Sequence, residues 1–461
     1  MPRVLFSAAM ANCALQTCHV VPVGLCHPID TEKKWLSYHI EYGQCGVGAY
    51  CLGGCDPLNS NTLDSCVPEP VCQSQTFQFN NLNGIVPNTE YLGDATKADW
   101  VSSGTPLSYQ NTVLLTMAEG TVGTLLASTH YVWYGRTTAK FTTSAGAGVV
   151  TAFILLSDVK DEIDFEFVGT ELSTAQTNFY SQGITNCELN RSTLCVQILN
   201  QCNADNNGMD ANLSDNVHVT EHTYEIDWKP DTITWSINGN VVRTLNRADT
   251  WNDTSNMYNY PQTPARVQLS LWPGGLPTNG NGTIEWAGGL VDWNSPYMAT
   301  AGNTKYYYAA FSEVDIECYS PPDGANIQGS KSYIYTDPAG TNNTVEITND
   351  NTVLKSLLGT GTNMSANYPS AASSASGSAQ TSNLATIPGL SGAGPGTNGQ
   401  RGDTTTSTGS GTSATGSGSA ATGGFVQGTP SGLSGAPPRQ ETVLQGSFFA
   451  VLVAIVALIV L

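Results

Sequence analysis

Charged side chains are scarce in this chain, and basic ones are the scarcest. Only 12% of its 461 residues carry a charge, and 17 Lys and Arg against 37 Asp and Glu leave a net charge of −20. Because nucleic acid binds to positively charged surfaces, this balance argues against such a partner. The 19 tyrosines and 9 tryptophans instead favour a β-rich protein that binds neutral ligands such as sugars, whose rings stack on aromatic faces.

Other common signatures are missing as well. The chain contains no internal repeat, no phosphate-binding glycine loop and no helical heptad. The cysteines and histidines lack the spacing of zinc sites, and no set of residues compels another metal site. We therefore expect neither a metal nor any other cofactor.

The cysteines and glycosylation sequons favour the secretory route. Eight of the twelve cysteines precede residue 73, which is typical of a small disulfide-stapled module in an oxidising compartment. Six Asn-x-Ser/Thr triplets support the same route. These triplets begin at Asn190, Asn212, Asn252, Asn281, Asn342 and Asn363.

The C-terminal sequence predicts a glycosylphosphatidylinositol (GPI) anchor. Residues 448–461 form an uninterrupted apolar run, preceded by a polar spacer at 437–445 and three small residues at 434–436. A membrane-spanning helix is the alternative, but it needs about 20 apolar residues and this run is shorter. At the other end, residues 4–11 are a weak signal-peptide core, so we expect a misannotated N-terminus.

Changes in composition predict six sections along the chain. The central section alternates apolar and polar residues in short runs, whereas the Ser/Thr/Gly-rich section cannot bury enough apolar surface to fold and is expected to be a disordered stalk. The predicted sections are 1–28 (unassigned, with a misannotated start), 29–72 (cysteine-rich module), 75–320 (central domain), 321–365 (extension), 366–436 (stalk) and 437–461 (anchor signal, removed).

The alternation in the central section predicts an antiparallel β-sandwich, so the fold class is all-β. Strands are expected over residues 224–228, 232–237 and 265–272. The pair Asn238-Gly239 between two alternating runs predicts a type I′ hairpin turn.

Residues 161–167 contain the candidate catalytic residues. Along an extended strand the side chains alternate between the two faces, so three apolar side chains bury and three carboxylates line up on the opposite face. The apolar residues are Ile163, Phe165 and Phe167, and the acids are Glu162, Asp164 and Glu166. Like charges this close raise one another's proton affinity, which favours a site with one protonated and one ionised acid.

Two simpler interpretations are a solvated strand face and a Ca²⁺ ladder. A Ca²⁺ loop would need carbonyl and Asn or Gly ligands in a turn, rather than interleaved Ile and Phe. Glycoside cleavage needs two carboxyl groups that flank the scissile bond. Four residues of strand separate the Cα atoms of Glu162 and Glu166 by about 13 Å, which leaves retaining and inverting geometries both open.

Four segments resemble known families. Asp161-Glu-Ile-Asp-Phe-Glu166 resembles the active-site signature of glycoside hydrolase family 16, a concave jelly roll. Glu166-Phe-Val-Gly169, Leu269-Ser-Leu-Trp-Pro-Gly-Gly275 and Gly282-Thr-Ile-Glu-Trp-Ala-Gly-Gly289 resemble the fungal Crh family. Members of that family are wall-anchored transglycosylases that move chitin fragments onto β-glucan or chitin.

The resemblance implies roles for matching residues. Glu162 would be the nucleophile, Glu166 the general acid and then base, and Asp164 the supporting acid between them. Substrate would be bound by Glu166, Gln268, Trp272 and Thr283. Trp133 or Tyr134, in another family-like segment, is expected either to line the cleft or to be buried. Glu313, Asp315 and Glu317 repeat the acidic spacing without the flanking family sequence and are interpreted as a structural strand face.

The cysteine-rich module resembles part of a known chitin-binding unit. Tyr42-Gly-Gln-Cys-Gly-Val-Gly-Ala-Tyr-Cys-Leu-Gly-Gly-Cys55 resembles the second half of a hevein-like module, whose usual Cys-Cys-Ser is absent here. Either the module has degenerated or its first residues come from a wrong start or splice, and a disulfide-stapled spacer is the alternative. In the apparent insertion 186–216, Cys187, Cys195 and Cys202 need a fourth partner, for which we expect Cys318.

The leading hypothesis is a secreted transglycosylase, GPI-anchored at the plasma membrane and cell wall. It would be a monomer that cleaves chitin by a retaining double displacement and transfers the fragment to β-glucan or chitin. One alternative is an endo-β-1,3(4)-glucanase, and another is a non-catalytic wall-binding mannoprotein.

Overall fold

The computed structural model describes residues 39–41, 44–183, 207–253, 255–351 and 353–366, with side chains from residue 47 onwards. Predictions for residues 1–28 and for the anchor signal lie outside these ranges, as do those for the stalk beyond its first residue. Cys187, Cys195 and Cys202 also lie outside them.

The described residues form mainly β-strands. The strands are β1 (His39–Glu41), β2 (Gln44–Gly46), β3 (Glu69–Pro70), β4 (Gln75–Gln78), β5 (Ile85–Pro87), β6 (Trp100–Ser103), β7 (Leu107–Tyr109), β8 (Thr112–Ala118), β9 (Thr124–Val132), β10 (Gly135–Thr142), β11 (Val149–Ser157), β12 (Glu162–Val168), β13 (Thr174–Tyr180), β14 (Met209–Asn212), β15 (His222–Trp228), β16 (Thr232–Ile237), β17 (Asn240–Asn246), β18 (Trp251–Asn252), β19 (Met257–Tyr258), β20 (Ala265–Pro273), β21 (Ala299–Ala301), β22 (Thr304–Cys318), β23 (Asn326–Ile327), β24 (Ser332–Tyr335) and β25 (Val345–Thr348). The α-helix α1 spans Asn281–Trp286, and 3₁₀ turns span Gly48–Cys51, Leu63–Ser65, Arg247–Thr250 and Asn342–Thr344. Within the described ranges, no helix is long and apolar enough to cross a membrane.

Two large sheets dominate the fold and confirm the predicted β-sandwich jelly roll. Sheet A has the strand order β14-β13-β12-β11-β20-β9-β6-β5. Sheet B has the order β17-β16-β15-β10-β22-β8-β7, and β4 and β21 also pair with β22. Most pairs are antiparallel, with β5 and β6 as a parallel exception. The acidic strand β12 lies inside sheet A, between β11 and β13.

An aromatic core fills the space between the two sheets. Phe165 and Phe167 of β12 contact Tyr224 of sheet B, with ring centroids 5.5 and 4.8 Å apart. Phe141 stacks on Phe311 at 4.4 Å and meets Phe167 edge-on at 5.4 Å. Each fully buried ring of this kind stabilises the fold by roughly 1.5–3 kcal/mol. Since β12 turns its apolar side chains into this core, its acids face the other side of sheet A.

The strands predicted from alternation are confirmed. Residues 224–228 lie in β15, residues 232–237 form β16, and residues 265–272 lie in β20. Asn238 and Gly239 form the predicted turn, with φ angles of 51° and 77°. These positive values suit a type I′ turn, which explains why Asn-Gly occurs there.

Trp133 and Tyr134 do not line a cleft, so that half of the expectation is wrong. Both side chains are buried, and the Trp133 indole donates a hydrogen bond to the Gln262 carbonyl at 2.9 Å. The two residues follow the last residue of β9, and Tyr134 has a φ of 65°. Strand alternation therefore does not decide which way their side chains point.

The second acidic pattern is a structural strand face, as predicted. Glu313 and Glu317 of β22 form ion pairs with Lys140 at 2.8 Å and Arg136 at 2.5 Å, and Asp315 accepts a hydrogen bond from Thr76. These are exposed pairs on the outer surface of sheet B, and such pairs contribute little stability.

The disulfide expected at Cys318 forms with a different partner. Cys318 is bonded to Cys72 rather than to the 186–216 insertion, and Cys55 is bonded to Cys66. The physical reason lies in the topology: β4 starts shortly after Cys72 and pairs with β22, which ends at Cys318. This pairing brings the two Cα atoms to 5.9 Å although 246 residues separate them in sequence.

Residues 47–70, here called the N-terminal cap, pack against the extension that follows the sandwich. β3 joins β24, β25 and β23 in a four-stranded sheet. Gly48 donates to the Gly359 carbonyl at 2.8 Å, and Gly361 donates to the Ser65 carbonyl at 3.0 Å. Tyr50 is buried against Leu357. The cap and the extension therefore form one packed unit on the sandwich, whereas the boundaries given above for the domains remain predictions.

Candidate active site

The three predicted acids share one face of β12. Glu162 and Asp164 are 4% and 1% exposed, and Glu166 is half-buried. Ile163 and Phe165 between them point into the core. The structure thus brings together the three acids, here called the acid row, on the side of sheet A that faces away from sheet B.

Cross-strand pairing places the acid row beside predicted sugar-binding residues. Asp164 pairs with Ile154 on β11, which in turn pairs with Gln268 on β20. Paired residues of neighbouring strands lie on the same face. Two strand spacings amount to about 10 Å, so Gln268 lies on the acid face at roughly that distance.

The floor between the two strands is apolar. Ala152, Ile154 and Leu156 form their own small buried cluster, separate from the core between the sheets. They pair on one side with the acid row and on the other with Ser270, Gln268 and Arg266. These buried apolar side chains of β11 therefore separate two polar rows that lie on the same face of sheet A.

β13 adds polar residues that the sequence reasoning did not single out. Tyr180, Asn178 and Gln176 pair with Glu162, Asp164 and Glu166 across the strand boundary. Alternation in β13 was a usable signal for them, because these polar residues alternate with buried Ala175, Thr177 and Phe179.

Several buried polar atoms on this face have no hydrogen-bond partner within the described part of the protein. Buried polar groups are nearly always satisfied, so a group of exceptions on one face indicates a place for a polar ligand. The atoms are Glu162 Oε2, Gln268 Oε1, Ser270 Oγ, Trp272 Nε1 and Thr283 Oγ1. A chain of sugar hydroxyls offers both the donors and the acceptors that such a set needs.

The acids perturb one another electrostatically. Burial raises the pKa of Glu162 well above its usual value, and the charges of Asp164 and Glu166 raise it further, while Lys160 partly offsets this. One member of the row therefore retains its proton more readily than an exposed glutamate. The raised pKa falls on Glu162, the predicted nucleophile, which must lose this proton before it can attack.

Asp161 holds the start of β12 in place. Its carboxylate accepts hydrogen bonds from the backbone nitrogens of Gln182, Gln262 and Thr263 at 2.9, 2.9 and 3.0 Å. It also accepts one from the Thr263 hydroxyl at 2.6 Å. Burial raises the pKa of Asp161, and these hydrogen bonds work against that rise. The residue ties Glu162 to the adjoining loops, a positioning role that the sequence motif alone did not indicate.

Trp272, at the end of β20, packs against α1, the helix that carries Thr283. Trp272 lies outside the core between the sheets, but it is only 4% exposed because Trp286 stacks on it with centroids 5.9 Å apart. Thr283 is buried on α1. Trp286 is the more exposed ring, and its indole donates to Gln176 Oε1 at 2.8 Å. Sequence reasoning missed Trp286, although it lies within a segment quoted for the family resemblance.

In the ranges that the structure describes, no group of three or more His, Cys, Asp and Glu side chains is arranged to hold a metal ion.

Comparison with known proteins agrees with this geometry. Residues 94–288 match the model of glycosyl hydrolases family 16. Crh-like protein 2 of Aspergillus fumigatus is 51% identical over 425 residues, which cover 91% of this chain and 90% of that protein. The chain belongs to glycosyl hydrolase family 16, among its Crh-like proteins. Crh-like protein 3 of Botryotinia fuckeliana is 56% identical over 326 residues, covering 71% of this chain and 68% of that protein.

A solved structure of Crh5 transglycosylase in complex with NAG is also similar. It is 28% identical, covers 63% of this chain and 99% of that one, and has a TM-score of 0.47.

This Crh-like protein is an enzyme of the glycosidase and transglycosylase class, and it acts on polysaccharide. The family resemblance of the acidic motif is thereby confirmed. The family match begins at residue 94 and does not reach the N-terminal cap. The hevein-like character of that segment remains a prediction.

Proposed function

We propose that this Crh-like protein is a secreted cell-wall transglycosylase. It cleaves β-1,4 bonds in chitin by a retaining double displacement and transfers the fragment to β-glucan or chitin. The observation that carries the proposal is the acid row, which lies on one face of sheet A beside buried polar atoms that have no hydrogen-bond partner among the described residues. The preference for transfer over hydrolysis rests on the Crh-like membership of the chain.

The first half-reaction forms a covalent glycosyl-enzyme. A carboxylate oxygen of Glu162 bonds to the anomeric carbon as the bond from that carbon to the glycosidic oxygen breaks. Glu166 gives its proton to the departing oxygen and becomes ionised. Glu162 Oε2, which has no hydrogen-bond partner in the described part of the chain, suits the attack, because a poorly solvated carboxylate is a stronger nucleophile once it is ionised.

The second half-reaction decides between transfer and hydrolysis. Glu166, now ionised, removes the proton from an incoming hydroxyl, and the oxygen of that hydroxyl displaces Glu162 from the anomeric carbon. A sugar hydroxyl held in place competes with water because binding raises its effective concentration. Asp164, between the two glutamates, would hydrogen-bond the nucleophile and limit the repulsion between them.

The proposed sugar contacts are made by the buried polar atoms that have no hydrogen-bond partner among the described residues. Gln268 and Thr283 can each donate and accept hydrogen bonds to sugar hydroxyls or to an acetamido group. Trp272 would donate from its indole nitrogen, and the half-buried Trp286 would offer ring surface for stacking. Glu166 contributes a further contact at the scissile bond.

A transfer assay tests the proposal. Purified full-length protein receives chitin oligomers as donors and fluorescent laminarin or chitin oligomers as acceptors, and product masses are recorded. Wild-type protein is expected to extend the labelled acceptors. Glu162→Gln and Glu166→Gln each abolish this extension, whereas Glu313→Gln, an acid on the outer face of sheet B, leaves it intact.

Three outcomes would contradict the proposal. Extension by either site variant rejects the assignment of Glu162 and Glu166. Release of reducing ends from β-glucan without extension supports the glucanase alternative. Binding to wall polysaccharide without any change in mass supports the non-catalytic alternative.

We also propose that the protein is a monomer held at the plasma membrane and cell wall by a GPI anchor. The support for the anchor is the C-terminal sequence of small residues, polar spacer and apolar run, which lies outside the described residues. Treatment of cell membranes with a phosphatidylinositol-specific phospholipase is expected to release the protein into solution.

A further inference from the structure

A pocket lies on the acid face of sheet A, next to the proposed site. It contains about 730 Å³ of non-protein space, including open solvent. Leu125 and Ala127 of β9, Val101 of β6 and Gln268 of β20 form its sheet side. Leu52 and Glu69 of the N-terminal cap form part of the opposite side. The pocket is thus enclosed between the cap and the catalytic sheet.

Strand register connects this pocket to the acid row. Starting from Asp164, the cross-strand partners run through Ile154, Gln268 and Ala127 to Val101. With a strand spacing of about 4.8 Å, Ala127 is roughly 14 Å and Val101 roughly 19 Å from β12. One sugar unit of a β-1,4-linked chain advances by about one strand spacing. A glycan that crosses the strands from the acid row therefore reaches the pocket with about its third sugar.

The N-terminal cap is anchored where it meets the sheet. Gly54 donates a backbone hydrogen bond to Asp158 Oδ1 at 2.8 Å, and the Tyr131 hydroxyl donates to the same oxygen at 3.0 Å. Gly53 lies directly against the Arg266 guanidinium, where a Cβ atom would come within 2.0 Å of Nη1. These contacts between the cap backbone and the side chains of Asp158 and Arg266 hold the cap against the sandwich.

The far side of the pocket is closed by packed side chains. Tyr91, which lines the pocket, is buried in one apolar cluster with Leu52, Val67 and Leu354. Leu52 and Val67 come from the cap and Leu354 comes from the extension. Because the cap, the extension and the segment around Tyr91 join there, the pocket is closed on this side.

The pocket also offers polar groups that a sugar can satisfy. Gln268 Oε1 and Glu69 Oε2 are buried, line the pocket and have no hydrogen-bond partner among the described residues. Burial raises the pKa of Glu69 well above its usual value, and the charge of Asp158 and a hydrogen bond with its carboxyl group add to this rise, while the charge of Arg266 partly offsets it. Glu69 therefore favours its neutral form, whose proton serves the hydrogen bond to Asp158, while Oε2 can accept a hydrogen bond from a sugar hydroxyl.

We propose that this pocket is a terminal sugar subsite, and that the N-terminal cap limits the glycan to about three sugars on that side of the scissile bond. The limit restricts either the transferred fragment or the acceptor, depending on which of them occupies this side. Glu69 and Gln268 recognise the last sugar. The proposal rests on the function proposed above, because the acid row defines the point from which the sugars are counted.

Binding of chitin oligomers of increasing length to the catalytically inactive Glu166→Gln protein tests the subsite apart from any reaction. Isothermal calorimetry is expected to show affinity that rises with length and then reaches a plateau once the pocket is filled. Glu69→Gln in the same background is expected to reduce the advantage of long over short oligomers about tenfold, which corresponds to about 1.4 kcal/mol.

A second variant acts at the rim and does not disturb the buried charges. The half-buried Asn88 lines the pocket, and its side chain donates to Ser103 Oγ at 3.0 Å. Asn88→Trp adds bulk there and is expected to lower the plateau length by about one sugar. Asn83→Trp, at an exposed position outside the pocket, serves as the matched control and leaves the plateau where it was.

Product lengths from the transfer assay give the complementary result. In wild-type protein, the transferred fragment is expected to be no longer than about three sugars if it occupies this side. If the acceptor occupies this side, the transfer rate is expected to stop rising once the acceptor has about three sugars. Three results would overturn the subsite. Affinity could rise with oligomer length without a plateau, or products could lengthen without limit on both sides of the scissile bond. The plateau could also be unchanged in Glu69→Gln and Asn88→Trp. A binding plateau in a protein that makes no transfer product would retain the subsite and reject the proposed function.

Discussion

The indole nitrogen of Trp235 donates a hydrogen bond to the backbone carbonyl of Asp164 at 3.0 Å. Trp235 lies on β16 of sheet B, and Asp164 is the middle of the acid row in sheet A. The bond therefore joins the two sheets through the backbone of β12. Arg243 covers the Trp235 ring at 4.7 Å and donates to the Thr177 carbonyl on β13 at 2.7 Å. Together these contacts position β12 and β13.

Trp235→Phe tests this positioning role. Phenylalanine keeps most of the ring packing but leaves the Asp164 carbonyl without its buried donor, which costs about 1–3 kcal/mol. Thermal unfolding followed by circular dichroism is expected to show a midpoint lower by several degrees, and kcat for transfer falls as the acid row loses its fixed position.

Trp251→Phe is the matched control for that variant. Trp251 is exposed, and its indole donates to the exposed Asp253, so little change in unfolding or kcat is expected. If Trp235→Phe unfolds and reacts like wild-type protein, the bond to Asp164 does not position the catalytic strand.

The acid row is expected to reduce stability at neutral pH. The folded-state pKa of Glu162 lies above its unfolded value, so the folded protein binds the proton more tightly. Stability from this group is fully present below the unfolded pKa and is lost as pH rises through the folded pKa. Glu162→Gln removes that loss and is expected to raise the unfolding midpoint at pH 7, with a smaller gain at pH 4.

Thermal unfolding of wild type and Glu162→Gln across this pH range measures the effect. Glu313→Gln on the outer face provides the contrast, because an ion pair with Lys140 lowers the pKa of Glu313. Its substitution removes a weakly favourable group and is expected to produce no gain. Equal midpoints for wild type and Glu162→Gln at pH 7 would show that the row is not under electrostatic strain.

The two stacked tryptophans are expected to contribute differently to sugar binding. Trp286→Ala removes the half-buried ring and uncovers Trp272, and we expect KM for chitin oligomers to rise about fivefold, since a stacked ring contributes about 1 kcal/mol. Steady-state kinetics should show a smaller effect on kcat. Trp286→Phe keeps a ring at this position and is expected to recover most of the affinity. An unchanged KM in Trp286→Ala would place the sugar elsewhere.

The acid row was predictable from sequence because its signal is local. Ile163 and Phe165 alternate with the acids. Because successive side chains of a strand point to opposite faces, this alternation places the acids on one face and the apolar residues on the other. The same rule located Gln268 and Trp272 on one face of β20. Trp133 and Tyr134 escaped it because they follow the end of β9, where the backbone turns and alternation ceases to apply.

Features that depend on distant segments were not predictable from the local pattern. The Cys72–Cys318 bond follows from the pairing of β4 with β22, and cysteine spacing carries no information about that pairing. The position of the N-terminal cap on the sandwich is a similar case. Gly53 and Gly54 read as part of a cysteine-rich module, and only the fold shows that they lie against Arg266 and Asp158.

Trapping the glycosyl-enzyme tests the central claim most directly. Glu166→Gln is given a chitin oligomer with a dinitrophenyl leaving group, which departs without a proton, so the first half-reaction proceeds while the second is slowed. Mass spectrometry of the intact protein and of its peptides is expected to show the added sugar mass on Glu162. An adduct on a different residue, or dinitrophenol release without any adduct, would contradict the assignment of Glu162 as the nucleophile.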